Sequence, residues 1–363
     1  MKNVHSDLAK MGTSPSNDNM PFRWVAEWQP HAATWIAWPH NLNTWPNRFD
    51  CIPGTFERLI RILADVETVH VLGGPLNAFQ IAVELFEANP KIQVHDVVTD
   101  DCWIRDFGPT FVLNQDGSEL AGVDWNFNAW GGKYPPFDND AANAERICKI
   151  ANCKRMASRL TCEGGALETD GNGTLLTTSR CLLSMSRNPD WTRSQVEEEL
   201  KTQLGIRKVL WVDGGELAGD DTDSHIDQLV RFVRPGLLAA AVSYTTDDEN
   251  AAKLERQFDN LSSMRDADDA RLEIVRLVTP PPRFIQGERV PESYCNFYIA
   301  NGIVIVPTFG FRETDEAAIQ TLRELMPDRT VVPLDSSDLV WGRGAIHCVT
   351  QQQPAIAPSA LEC

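Results

Sequence analysis

Asn296-Phe297-Tyr298-Ile299-Ala300-Asn301-Gly302-Ile303-Val304-Ile305-Val306 sets the architecture of this chain. A short apolar run meets Asn-Gly, and a second apolar run follows. Asn-Gly suits a two-residue hairpin, because both central residues must take positive φ. A helical apolar pattern then occupies about 314–326. The same order recurs upstream. Phe111-Val112-Leu113 runs into Asn114–Gly117, and Asp170-Gly171-Asn172-Gly173 runs into Thr174–Thr178. Helices fit near 139–152, 192–203 and 248–264, and Thr192-x-x-Gln195 has the form of a capping box. Nearer the start, Thr34–Trp38 reads as a buried strand among closely spaced tryptophans and prolines. Phe56, Leu59, Ile60 and Leu63 make a helical stripe over 54–65. Val69–Leu72, a helix near 77–88 and a strand at Ile92–Val98 complete that region. The pattern is α/β, with about five hairpin-plus-helix units.

Composition narrows the class. Of 363 residues, 42% are hydrophobic and 23% charged, which describes a globular protein with a core of its own. No composition shift marks a linker, so 20–358 reads as one domain, with a loose polar tail at 1–19 and a short one at 359–363. The 9 cysteines are odd in number and scattered without CxxC spacing, as expected of reduced thiols in a cytoplasmic protein. No stretch has the apolar length of a membrane span. The formal charge of −18 argues against nucleic-acid and anionic-membrane partners and favours cations. Gly171-x-Gly173 lies in a hairpin turn and is no dinucleotide fingerprint. No cofactor is implied, and homo-oligomer formation is left open.

Four stretches carry chemistry. Asp100-Asp101-Cys102-Trp103-Ile104-Arg105-Asp106 ends at a Gly108-Pro109 breaker. Glu163 precedes Gly164-Gly165. Asp221, Asp223, His225 and Asp227 alternate, so an extended chain would place all four on one face. That stretch lacks the spacing of a calcium loop or a zinc site, which leaves a metal reading beside that of a histidine base held by carboxylates. Finally, Gly342-Arg343-Gly344-Ala345-Ile346-His347-Cys348 delivers one cysteine from a glycine-rich turn. Cys348 is either a nucleophile or a small core hydrophobe. His347 is expected to point away from it, leaving His225 as the better partner. A thiol, a histidine and several carboxylates suit a planar cation with many N–H donors. A guanidinium is such a cation, and hydrolytic deimination through a covalent thiouronium is the matching chemistry.

These residues carry a resemblance. Ala26-Glu27-Trp28-x-Pro30-His31, Asp101-x-Trp103-x-Arg105-Asp106-x-Gly108-Pro109 and Trp130-Gly131-Gly132-Lys133-Tyr134 form its first part. Glu163-Gly164-Gly165, Asp221-Thr222-Asp223-x-His225-Ile226-Asp227, Asn296–Gly302 and His347-Cys348-x-Thr350-Gln351-Gln352 complete it. In this order, from Trp24 to Pro354, the chain resembles the agmatine deiminase and bacterial peptidyl-arginine deiminase-like family. The resemblance implies a pentein fold, a five-bladed α/β propeller of ββαβ-type repeats around a central channel. It implies conversion of agmatine to N-carbamoylputrescine and ammonia, a step of putrescine and polyamine biosynthesis, with no cofactor or metal. Free arginine, peptidyl arginine or another guanidino acid are the alternative substrates. A metal-dependent protein or a non-catalytic cation-binding module are the rivals of another class. By matching motifs, Cys348 is the nucleophile and His225 the general acid/base. Asp106 and Asp227 clamp the guanidinium, and Glu163 binds its nitrogens and orients His225. Trp103 packs along the substrate, and Asp221 is the choice for agmatine's far ammonium. Two positions depart from the family pattern, because Arg343 and Ser224 stand where glycines are common.

Overall fold

A computed structural model describes residues 21–213 and 217–357. Both expected tails lie outside the described residues. Within them, five sheets share one connection rule. An antiparallel hairpin supplies the first two strands, and a helix then carries the chain over to a third strand parallel to the second. A parallel neighbour cannot be reached by a tight turn, so the helix is the required crossover.

The unit read from Asn301-Gly302 shows the rule plainly. Tyr298–Ala300 pairs antiparallel with Ile303–Thr308, helix Arg312–Leu325 follows, and Thr330–Asp335 returns parallel. Three other units repeat it. Their strands are Thr110–Asn114, Leu120–Asn126 and Lys154–Thr161; Glu168–Thr169, Thr174–Thr177 and Lys208–Trp211; and Val230–Arg234, Leu237–Val242 and Glu273–Val278. The remaining unit joins the two ends of the chain. Gln351–Pro354 pairs antiparallel with His31–Ala37, which runs parallel to Thr68–Leu72 after helix Ile52–Val66. Middle strands such as Leu237–Val242 are buried along their whole length. Coverage on both faces explains why they read as continuous apolar runs.

Local signals explain the crossovers. Thr192 accepts from the Gln195 amide while the Gln195 side chain accepts from the Thr192 amide, so helix Arg193–Leu204 starts on a complete capping box. The stripe at Phe56, Leu59, Ile60 and Leu63 is fully buried. The expected helix over 139–152 is two, Asp138–Ala141 and Asn143–Ile150. The strand expected at Ile92–Val98 stops at His95, where the Val97 amide turns back to the His95 carbonyl and the Gly74 amide donates to the Val97 carbonyl. An extra hairpin, Phe284–Ile285 with Glu288–Arg289, interrupts the path to the last unit.

One loop precedes the first strand of every unit. They are Ile104–Phe107, Gly164–Ala166, Ile226–Gln228, Tyr294–Asn296 and the turn at 345–349. Each touches the next. The Gly165 amide donates to Asp106 at 2.9 Å, and His225 lies 3.5 Å from Glu163. The Ser293 hydroxyl donates to the Gln228 carbonyl at 2.7 Å, and the His347 amide to the Asn296 side chain at 3.0 Å. The Arg105 amide donates to the Cys348 carbonyl at 3.2 Å, which closes the circuit. No helix among the described residues is long and apolar enough to cross a membrane.

Candidate active site

The circuit of loops gathers Asp106, Glu163, His225, Asp227 and Cys348 at one point, all buried. Gly165 shows how tightly. A Cβ there would lie 2.7 Å from His225 Nδ1, 2.8 Å from Asp106 Oδ1 and 3.1 Å from Asp227 Oδ2. Only glycine leaves room for the three side chains to converge. Gly164 has a different task, since its missing Cβ lets the Arg105 carbonyl approach.

Cys348 Sγ accepts from the Asn296 side-chain amide at 3.2 Å and lies 3.7 Å from Asp227 Oδ2. Burial pushes this thiol well above its ordinary range, and the carboxylates of Asp227 and Asp106 push the same way. The Asn296 donor works in the opposite direction. Asp106 also accepts from the Trp130 indole at 2.9 Å. Burial raises the Asp106 carboxyl, His225 offsets part of that, and Asp227 and Glu163 add to it.

His225 has Nδ1 3.7 Å from Asp106 and Nε2 3.5 Å from Glu163, and neither nitrogen finds a hydrogen-bond partner among the described residues. Burial opposes its charged form. The Asp106, Cys181 and Glu163 side chains overcome that, so its pKa stands well above the usual imidazole range. Glu163 is fully buried behind the ring and both its oxygens accept from Arg187 Nε, at 2.8 and 2.9 Å. Burial would raise the Glu163 carboxyl, but Arg187 and His225 hold it low.

A cavity of about 970 Å³ opens on this cluster. Trp103, Asp106, Trp130, Asp221, Arg343 and Cys348 line it, whereas Glu163, His225 and Asp227 lie behind the lining. Trp103 stacks at a tilt on Trp45, 5.6 Å between ring centroids. Gly344 fits the glycine-rich approach beneath Trp103, where a Cβ would come within 2.4 Å of the ring.

Two local expectations are corrected. The stretch 221–227 is not extended, so its acids do not share a face. Asp220 accepts from the Thr222 amide and hydroxyl and the Ser224 amide, which coils the loop, and Asp223 and Ser224 take φ of 64° and 73°. Asp223 turns to Lys133 and Arg187, and Asp221 accepts from the Tyr134 hydroxyl at 2.6 Å. Likewise 346–349 is a turn, and His347 does not point away from the cluster. It bridges Asp227 at 2.8 Å and Glu27 at 3.0 Å. Burial, with Arg105 and Arg231 nearby, lowers the His347 pKa.

Glu27, Arg187, Arg231, Trp130 and Asn296 were not singled out from sequence. Glu27, Trp130 and Asn296 lay inside quoted motifs, but Arg187 and Arg231 carry no local pattern that marks them. Glu163, Cys181 and His225 place one ligand-type atom each within 4.8 Å of one another. Arg187 already occupies both oxygens of that glutamate, so a cation there would face a guanidinium.

Comparison with known proteins places this arrangement. The sequence profile of Porphyromonas-type peptidyl-arginine deiminases matches residues 23–354. The chain belongs to that family. An agmatine deiminase from Medicago truncatula is 35% identical over 92% of this chain and 97% of its own length. One from Stutzerimonas stutzeri is 36% identical over 96% and 99%. The solved agmatine deiminase of Enterococcus faecalis superposes with a TM-score of 0.84 at 32% identity, covering 95% of this chain and 98% of that one. DDAH from Pseudomonas aeruginosa, at a TM-score of 0.50 and 11% identity, shares the fold alone. The fold is the pentein fold.

Two outcomes test the geometry. Gly165→Ala should lower kcat/KM on the substrate about 100-fold, the scale of a 1 Å misplacement, with near-UV circular dichroism unchanged; wild-type kcat/KM would contradict it. In the ligand-free protein, alkylation of Cys348 by iodoacetamide, followed by peptide mass spectrometry, should rise only above the ordinary thiol range of about 8.5. A raised pKa keeps the thiol neutral until then. Asn296→Ala should move the rise further alkaline. A plateau reached below neutrality would contradict this account.

Proposed function

We propose that this protein hydrolyses the guanidino group of agmatine, giving N-carbamoylputrescine and ammonia through a covalent intermediate on Cys348. The observation that carries the reading is the convergence at Gly165. Two buried carboxylates and an imidazole with both nitrogens unbonded face one point, beside a buried thiol. A carboxylate pair is the geometry that grips a planar cation bidentately. The relatives named agmatine deiminase, matched nearly end to end, support the same substrate.

The residues then take these roles. Asp106 and Asp227 hold the guanidinium between them. Its charge offsets the carboxylate repulsion that, together with burial, keeps Cys348 protonated, so bound substrate lowers the cost of forming the thiolate, and the thiol's proton passes to solvent as it forms. The sulfur attacks the guanidinium carbon, a C–S bond forms, and one C=N electron pair moves onto nitrogen. His225, held in its charged form by Asp106 and Glu163, gives its proton to the departing nitrogen. The C–N bond breaks and ammonia leaves, which leaves a thiouronium. Neutral His225 then takes a proton from water as the oxygen adds to the same carbon. The C–S bond breaks, the adduct's remaining hydroxyl proton passes to the departing sulfur, which restores the resting thiol beside a charged His225, and the neutral ureido product departs.

Glu163 acts through His225 rather than on the substrate, because Arg187 holds both its oxygens and His225 Nε2 lies 3.5 Å from it. Asn296 points its amide at the sulfur and supports the thiolate. Trp103 and Trp130 form apolar walls for the methylene chain, and Asp221 meets the far ammonium.

The test is a substrate panel of agmatine, free arginine and a blocked arginine peptide, read by ureido product with and without a chelator. Agmatine should be the best substrate, and chelation should leave the rate unchanged. Cys348→Ser should give no measurable product, since an alcohol near its ordinary pKa supplies almost no alkoxide at neutral pH. Substantial residual turnover by that variant would overturn the covalent route.

A further inference from the structure

The outer end of the cavity is not a simple carboxylate subsite. Arg343 reaches into it from the turn that leads to Cys348, with a backbone φ of 71°, a conformation that costs glycine nothing and other residues a penalty. The turn is fixed on both sides. A Cβ at Gly342 would strike Trp45 and Trp103, and one at Gly344 would strike Trp103 and come within 3.1 Å of the Cys348 Cβ. The arginine therefore stands at a set position relative to the nucleophile.

Its guanidinium is only partly satisfied by the protein. Nε lies 3.7 Å from Asp221 Oδ2, and Nη1 reaches the Gly219 carbonyl at 3.5 Å. Nη2 pairs with Glu288, an acid 71% exposed on the hairpin 284–289. A pair with so exposed an acid is weak and exchangeable. Asp221 keeps its firm contact with the Tyr134 hydroxyl, and Lys133 is committed to Asp223 and the Asp221 carbonyl. A carboxylate and a loosely held guanidinium thus sit side by side where the substrate's tail ends.

We propose that Arg343 is a specificity-determining residue that recognises a carboxylate at the substrate's tail and works against a bare ammonium. The inference rests on the agmatine reading above, because it uses Asp221 as the ammonium site. Arginine carries the same chain as agmatine with a carboxylate added on the carbon that bears the amine. With its ammonium on Asp221, that carboxylate falls beside Arg343, which leaves Glu288 to take it. Agmatine instead brings a second cation to an aspartate that Arg343 already screens.

The experiment compares wild type, Arg343→Gly and Glu288→Gln by KM for agmatine and by the inhibition constant of arginine against agmatine turnover. Glycine suits the positive φ, so Arg343→Gly should fold. It should weaken arginine binding about tenfold, the worth of one charge-assisted contact, and lower KM for agmatine, with kcat near wild type. Glu288→Gln frees Arg343 and should tighten arginine binding. Opposite shifts in the arginine constant by the two variants would support the inference. Shifts of the same sign would make the pair a mere strap on the hairpin, and an unchanged ratio of the two constants would overturn it. Failure of wild type to turn over agmatine would refute the substrate reading instead, a separate result.

Discussion

Burial of unbalanced charge governs the centre of this protein. Glu27, Asp106, Glu163, Glu168 and Asp227 are five carboxylates removed from solvent; Glu27, Glu163 and Glu168 pair with the buried guanidiniums of Arg105, Arg187 and Arg231, whereas Asp106 and Asp227 pair with His225 and His347. An uncompensated buried charge costs several kcal/mol. The protein answers in part by shifting protons. Burial pushes the Glu168 carboxyl up to about 7, against the pull of Arg231. His225 is kept charged, whereas burial and two arginines drive His347 toward neutrality. What remains is a negative surplus around Asp106 and Asp227. In the proposed reaction, a guanidinium held there would remove it. Burial, with the same surplus behind it, keeps the resting thiol protonated.

The scaffold makes such a cluster affordable by sharing it among five units. Each unit contributes one loop, and each loop is anchored by the strand that follows it. Asp106 comes from one unit, Glu163 from the next, His225 and Asp227 from a third, Asn296 from a fourth and Cys348 from the unit that joins the two chain ends. No loop has to bend far, because neighbouring loops bond to one another around a closed circuit. The close approaches at Gly164, Gly165 and Gly344 are where that circuit is tightest.

Much of this was legible in the sequence because hairpin and helix signals are local. Asn301-Gly302 and the Thr192 capping box announce their elements within a few residues. The acids, the histidine and the thiol were visible as residue types, and their family motifs tied them together. What failed to show were long-range partners. Arg187 and Arg231 have no local signature, yet they decide the charge of Glu163 and Glu27. The alternation across 221–227 suggested one face, but the Asp220 oxygens coil the loop, so Asp221 lines the cavity while Asp227 lies in the buried cluster with His347 and Cys348. Both departures from the family pattern, Ser224 and Arg343, fall at positive φ, which accounts for the glycines common there. Whether a residue stands alone or is answered by a charge hundreds of positions away is set by packing.

The central claim is covalent attack by Cys348 on a guanidinium carbon. Its most direct measurement is acid quenching during steady-state turnover of agmatine, digestion, and mass spectrometry of every cysteine peptide. The account predicts an adduct with the mass of agmatine less ammonia on the Cys348 peptide, present during turnover and gone once substrate is exhausted. Turnover with no adduct on any peptide, or an adduct on Cys181 instead, would contradict it.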